Sequence, residues 1–132
     1  MSSPLLYVNT RVVSGIAIPL PMQTSYLREY CTRRGLRFAL PTVEYGFGNS
    51  YPVFKKVLTL KKTTVLISTS LILPSAASFD WSIFLVRSSS ESRFHLVMER
   101  KICSLFELAN YMVKSSINTD ILSASAKQLN HA

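Results

Sequence analysis

The sequence predicts an α/β fold of three layers, in which a four-stranded, mainly parallel sheet of strand order 2-1-3-4 lies between flanking helices. Three observations carry this expectation. Short runs rich in β-forming residues alternate with segments of helical periodicity, the pattern of right-handed βαβ crossovers. The stretch Thr63 to Leu73 is β-branched and apolar, as a central strand covered on both faces requires. The 132 residues, 48% hydrophobic and 17% charged, suffice for one hydrophobic core and leave no room for a second domain.

Leu5 to Val8 reads as the first strand, and Asn9, Thr10 and Arg11 give it a polar carboxyl end. Gly15, Pro19 and Pro21 argue against a helix over Val12 to Pro21, which reads as a loop with a short extended piece from Ile16 to Leu20. The first helix should begin near Gln23 or Thr24. Leu27, Tyr30 and Cys31 share its apolar face, and Arg33-Arg34-Gly35 closes it with a basic turn and a glycine cap. Leu36 to Leu40, stopped by Pro41, is the expected second strand. A second helix capped by Asn49 or Ser50 accepts Pro52 in its first turn and buries Val53, Phe54, Val57 and Leu58.

The third strand, Thr63 to Leu73, should bury Val65, Leu66, Ile67 and Leu71 and end at Pro74. A third helix is predicted over Ser75 to Ser88, with Ala76, Phe79, Ile83 and Val86 on one stripe. Arg93 to Met98 is the fourth strand. Ser104 and Glu107 form a capping box for a helix through Val113 that turns Leu105, Leu108, Ala109 and Met112 inward. A single domain over 1–114 is therefore expected, with 115–132 a mobile tail of Ser, Asn, Thr, Ala and Gln.

Lys and Arg number 15 against 7 Asp and Glu, a formal charge of +8. The cations fall in short, scattered pairs, Arg33-Arg34, Lys55-Lys56, Lys61-Lys62 and Arg100-Lys101, which read as solvated faces rather than a stripe. Weak, salt-sensitive contact with nucleic acid is the most this predicts, without sequence-specific recognition. Cys31 and Cys103 have no neighbours at metal-ligand spacing, so neither a metal site, a cofactor nor a disulfide framework is expected. Val65 to Leu73 is the most apolar run and is far shorter than the ~20 residues of a membrane span. The first residues lack the basic region of a signal peptide, so a cytoplasmic location without membrane insertion is expected.

In an open parallel sheet, ligands bind outside the carboxyl ends of the strands, near the point where strand order reverses. That rule gathers Asn9, Thr10 and Arg11, Glu44 after the second strand, Ser68, Thr69 and Ser70 late in the third, and Glu99 after the fourth. A cation, two carboxylates and several hydroxyls suit a polar, hydroxyl-rich or anionic ligand. Arg11 would bind an anion, Glu44 or Glu99 would act as acid or base, and Thr69 would complete a catalytic set. In the competing reading Arg11 and Glu99 form a structural ion pair and the hydroxyls satisfy backbone groups. His95, in the middle of a strand, is expected to be a buried or edge residue. No GxGxxG, Walker lysine, GxSxG or HExxH motif is present.

Several segments carry a family resemblance: Tyr7-Val8-Asn9-Thr10-Arg11, Ile18-Pro19-Leu20-Pro21-Met22-Gln23, Leu27-Arg28-Glu29-Tyr30-Cys31, Gly35 to Pro41, Glu44, Asn49-Ser50-Tyr51, Leu73-Pro74 and His95 to Glu99. Together they resemble the sporadic carbohydrate cluster protein family over about Leu5 to Leu108, the Ile-Pro-x-Pro-x-Gln segment being the most specific. The resemblance implies a bacterial gene cluster for surface polysaccharide synthesis and adds Gln23, Asn49, Ser50 and Tyr51 to the ligand-binding set. Where the family carries a polar, arginine-bearing helix, this chain has Ser75-Ala76-Ala77-Ser78-Phe79-Asp80-Trp81. More faintly, the arrangement resembles the catalytic domain of serine recombinases, which implies a resolvase-like or flavodoxin-like sheet. Asn9 and Arg11 stand where that motif has its arginine and its nucleophilic serine, so phosphoserine chemistry is not expected. The resemblance carries over that setting and no activity; the expectation is a cytoplasmic protein of a surface-carbohydrate pathway, a small enzyme acting on a sugar or nucleotide-sugar intermediate. The alternative is a non-catalytic interaction or regulatory module with a degenerate recombinase-like fold. Self-association into a homo-oligomer is expected in either case.

Overall fold

The computed structural model describes residues 3–45, 49–87 and 91–115. Its sheet contains β1 (Leu5–Val8), β2 (Thr42–Val43), β3 (Thr64–Ile67), β4 (Arg93–Leu96) and β5 (Lys101–Cys103), in the order β2-β1-β3-β4-β5. The first four strands are parallel, with Tyr7 opposite Thr42, Leu6 opposite Leu66 and Leu66 opposite His95. β5 runs antiparallel to β4, with Ile102 opposite His95. The protein is thus α/β with a mixed five-stranded sheet, and the expected order 2-1-3-4 holds among its parallel strands.

Alternation along the strands divides the core in two. Leu6 and Val8 of β1, Leu66 of β3 and Val97 after β4 pack under α1 (Leu20–Arg34), which contributes Leu27, Tyr30 and Cys31. Tyr7, Val65, Ile67, Phe94 and Leu96 face the other way. They meet α2 (Pro52–Leu58) through Phe54, Val57 and Leu58, and α4 (105–115) through Leu105, Leu108, Ala109 and Met112. Phe54, Phe79 and Trp81 form an aromatic knot there, Phe79 and Trp81 lying 5.1 Å apart, and α3 (Ser82–Arg87) adds Phe84 stacked 5.3 Å from Phe79. Truncating Leu66, fully buried in the centre of the sheet, would cost about 2–5 kcal/mol through lost transfer energy and the cavity left behind.

Several boundaries differ from expectation, each for a local reason. α1 starts at Leu20 rather than Gln23, because Pro19 precedes it and Pro21 occupies the first turn, where the missing N–H costs nothing. Gly35 closes it as expected, in the left-handed conformation at φ 64°, its N–H turned back onto the last turn. The second strand is not Leu36–Leu40, whose Leu40 is exposed, but the residues beyond Pro41, where Thr42 and Val43 find the β1 ladder. β3 stops at Ile67, and the chain turns through a 3-10 segment, Ser70–Ile72, capped by the Thr69 hydroxyl accepting from Leu71 N. Leu71, expected in the core, is consequently 50% exposed, whereas Val65, Leu66 and Ile67 are fully buried.

The predicted third helix shrinks to α3, because Ser75 and Ser78 bond to one another and Asp80 accepts from Ser82 N, ending the turn. Ile83 is exposed and Val86 lies outside the described side chains. β5 was not anticipated. The capping box at α4 is present: Ser104 N donates to Glu107 Oε1 at 3.0 Å and Glu107 N to Ser104 Oγ at 3.2 Å. The expectation of a mobile tail falls, beyond Ser115, outside the described residues. Among the described residues no helix is long and apolar enough to cross a membrane.

Candidate functional site

The carboxyl ends of β1, β3 and β4 converge as the topology requires, and two polar clusters form there. The first surrounds Glu44, which follows β2 and is pinned by its N–H donating to Val8 O at 2.9 Å. Its carboxylate is buried and accepts from Tyr7 Oη at 2.7 Å, Phe54 N at 2.8 Å, Tyr45 N at 3.0 Å and Val53 N at 3.1 Å. Two of these donors are the orphan N–H groups of the first turn of α2, so Glu44 caps that helix from a distant segment. Burial, and then the hydrogen bond to Glu44, push the Tyr7 phenol far above its ordinary value, so it stays a proton donor to Glu44.

Arg11 belongs to the same side. Its Nη1 donates to Ser50 O, and its guanidinium lies 4.8 Å over the ring of Tyr51. Tyr51 is buried edge-on against Phe79, and burial raises its pKa more than the Arg11 charge lowers it. Thr10, Asn49 and Ser50 are exposed around this cluster.

Asn9 and Gln23 link it to the rest of the edge. The Gln23 side chain imitates a neighbouring strand, accepting from Asn9 N at 3.1 Å and donating to Asn9 O at 2.8 Å and to Ile18 O at 2.7 Å. The Ile-Pro-x-Pro-x-Gln segment therefore extends the hydrogen bonding of β1 past its last residue. Asn9 Nδ2 donates to Ile72 O at 3.0 Å and its Oδ1 accepts from Arg11 N at 3.0 Å. The end of β1 is thereby tied to the 3-10 turn after β3.

The second cluster surrounds Glu99, in the turn between β4 and β5. Its Oε2 accepts from Ser70 N at 2.7 Å, from Thr69 Oγ1 at 3.2 Å and from the Ser70 hydroxyl. Its Oε1 is buried and has no hydrogen-bond partner among the described residues, and the same holds for Ser68 Oγ. Such groups cost free energy unless a donor or acceptor reaches them.

The structure thus separates what the sequence placed together. Asn9, Arg11, Glu44, Ser50 and Tyr51 share one cluster, Ser68, Thr69, Ser70 and Glu99 another. The ion pairs among the described residues are Arg33 with Glu29 and Lys62 with Glu91, so Arg11 and Glu99 do not pair. Gln23 and Asn9 hold the backbone, and Glu44 has both oxygens occupied by its own chain. Sequence reasoning missed Tyr7, the partner of Glu44, because a tyrosine within a core strand carries no signal of what its hydroxyl meets.

Elsewhere, His95 is half-buried and shares a hydrogen bond of 2.5 Å between its Nδ1 and Tyr30 Oη. Burial, and then the charge of Arg34, hold its pKa below the ordinary imidazole value. Both cysteines are buried free thiols pushed upward by burial, the opposite of what a nucleophile needs. Among the described residues no group of His, Cys, Asp and Glu is arranged to hold a metal ion. No family model matches the chain, and no curated protein or solved structure matches it.

Proposed function

We propose that the protein binds a sugar or nucleotide-sugar at the carboxyl edge of its sheet, in a bacterial surface-carbohydrate pathway of the cytoplasm. The observation that carries the reading is the asymmetry of Glu99, whose Oε2 takes three donors while its buried Oε1 has none among the described residues. A ligand hydroxyl is a complementary group, because it donates a hydrogen bond to a carboxylate oxygen. Ser68 Oγ is a second buried hydroxyl with no partner among the described residues, and the exposed Thr10 and Asn49 supply polar rim groups on the Arg11 side. The carbohydrate setting rests on the family resemblance, and a resolvase-like or flavodoxin-like kinship of the fold on the parallel order β2-β1-β3-β4.

Binding is favoured over acid–base turnover because Glu44 has no oxygen without a donor from its own chain and neither thiol is activated. If turnover occurs, Glu99 is the carboxylate that meets the substrate. Titration calorimetry with a panel of free hexoses and nucleotide sugars tests this. At least one free hexose is expected to bind saturably, its binding abolished by Glu99→Gln at unchanged melting temperature, and for a nucleotide sugar the same variant should remove the contribution of the sugar. Undiminished binding in that variant, or no binding across the panel, would remove the site.

A further inference from the structure

The two faces of the sheet are not equally covered. Among the described residues α1 is the one helix over one of them, and beside it the β4–β5 hairpin leaves Ile102 and Met98 nearly half exposed, at 47% and 49%. Between helix and hairpin runs a groove of about 720 Å³. Tyr26, Tyr30, Arg33 and Arg34 line its helical wall, and Arg100 and Lys101 the wall facing them. Two cation pairs that are 67 positions apart in the chain (Arg33 to Arg100) therefore meet across one cavity. The only acid among its lining residues, Glu29, holds Arg33 at 3.8 Å in an exposed pair of the kind that contributes little and yields readily to a stronger anion.

We propose that this groove binds a nucleoside diphosphate. The diphosphate lies between Arg33-Arg34 and Arg100-Lys101, where arginine forks match phosphate oxygens. The base lies against Tyr26, Met98 and Ile102, which give the site its apolar part. Arg34 is already positioned, its guanidinium 4.9 Å over the Tyr30 ring. The volume falls within the range of small-molecule sites. A nucleic-acid strand would need a continuous basic track, yet Lys55 and Lys56 sit on α2, which packs against the opposite face of the sheet. A second copy of the chain docking about a two-fold axis would set these cations against themselves. None of the groove's lining residues belongs to the Glu99 or Arg11 cluster, and the assignment does not rest on that site.

Uridine diphosphate titrated into the full chain tests the assignment. Saturable one-to-one binding is expected, with inorganic pyrophosphate at least tenfold weaker and uridine without measurable affinity. Arg33→Gln/Arg34→Gln and Arg100→Gln should each weaken uridine diphosphate tenfold or more, while Lys55→Gln/Lys56→Gln and Glu99→Gln leave it unchanged. Amide chemical shifts of the unsubstituted chain should respond at 26–34, 96–98 and 100–102, with 68–70 unmoved, a readout independent of how the variants fold. Absence of saturation, pyrophosphate as tight as the nucleotide, or equal weakening by the Lys55/Lys56 pair would each overturn the proposal. So would shifts centred on Thr10, Arg11 and Ser50, or displacement of the nucleotide by a short single-stranded oligonucleotide.

Discussion

Glu44 and Glu99 lie at the same edge of the sheet, one after β2 and the other after β4, and the chain treats them differently. Glu44 is enclosed by donors on both oxygens, two of them the first free N–H groups of α2. Glu99 gathers its donors on one oxygen, and its other oxygen, buried, has no partner among the described residues. Two glutamates in similar sequence settings thus differ in whether their hydrogen-bonding capacity is exhausted within the fold. Exhaustion marks a structural group, and a residue of capacity marks one that can meet something else.

Conservative substitutions break or sharpen this contrast. Glu44→Gln puts an amide nitrogen where two donors already point, whichever way the amide turns, so chemical denaturation should show a loss of about 3 kcal/mol. A loss under about 1 kcal/mol would show that Glu44 is not the cap of α2. Next in size is Gln23→Ala, which strips Asn9 of partners for both its N–H and its C=O and should cost about 2 kcal/mol. Glu99→Gln can keep its oxygen on the three donors and turn its amide to the bare side, so a change within about 1 kcal/mol is expected. Equal losses at positions 44 and 99 would erase the distinction between them.

The smallest effect concerns pH and lies away from both carboxylates. His95 has a folded-state pKa below the unfolded value of about 6.5, so the unfolded chain takes up the proton first. The contribution is complete above about pH 6.5 and is lost as pH falls below it, toward the lowered folded value. The melting temperature should therefore be level on the alkaline side of that point and decline on the acid side. His95→Gln should make the decline shallower, and an unchanged profile would assign it to other groups.

The elements legible in the sequence were those whose own side chains decide their state. The buried face of α1 with Leu27, Tyr30 and Cys31, the core of β3, the apolar stripes of α2 and α4, and the Ser104–Glu107 box all follow from local periodicity and capping. What was not legible is decided by partners. Thr42 and Val43 become β2 only because Tyr7 and Val8 lie beside them, and Lys101 to Cys103 become β5 only by folding back on β4. Pro19 and Pro21 argue locally against a helix, yet α1 begins directly after Pro19 and tolerates Pro21 in its opening turn. The site was legible as a set of residue types at one edge. Which of them keep hydrogen-bonding capacity for a ligand depends on donors contributed by backbone N–H groups, which every residue type supplies alike and which leave no mark in the sequence.

The borders of the sheet carry a consequence for how this chain behaves in a crowd. One border strand has two residues, Thr42–Val43, and the other three, Lys101–Cys103. Unpaired backbone at the rim of a sheet is an invitation to other strands, and a long flat rim seeds fibrous assembly. Here each rim is too short to template a foreign strand, and Lys101 places a charge on one of them. Growth of the sheet from molecule to molecule is thus cut off at both ends by geometry, so concentrated preparations should resist fibril formation.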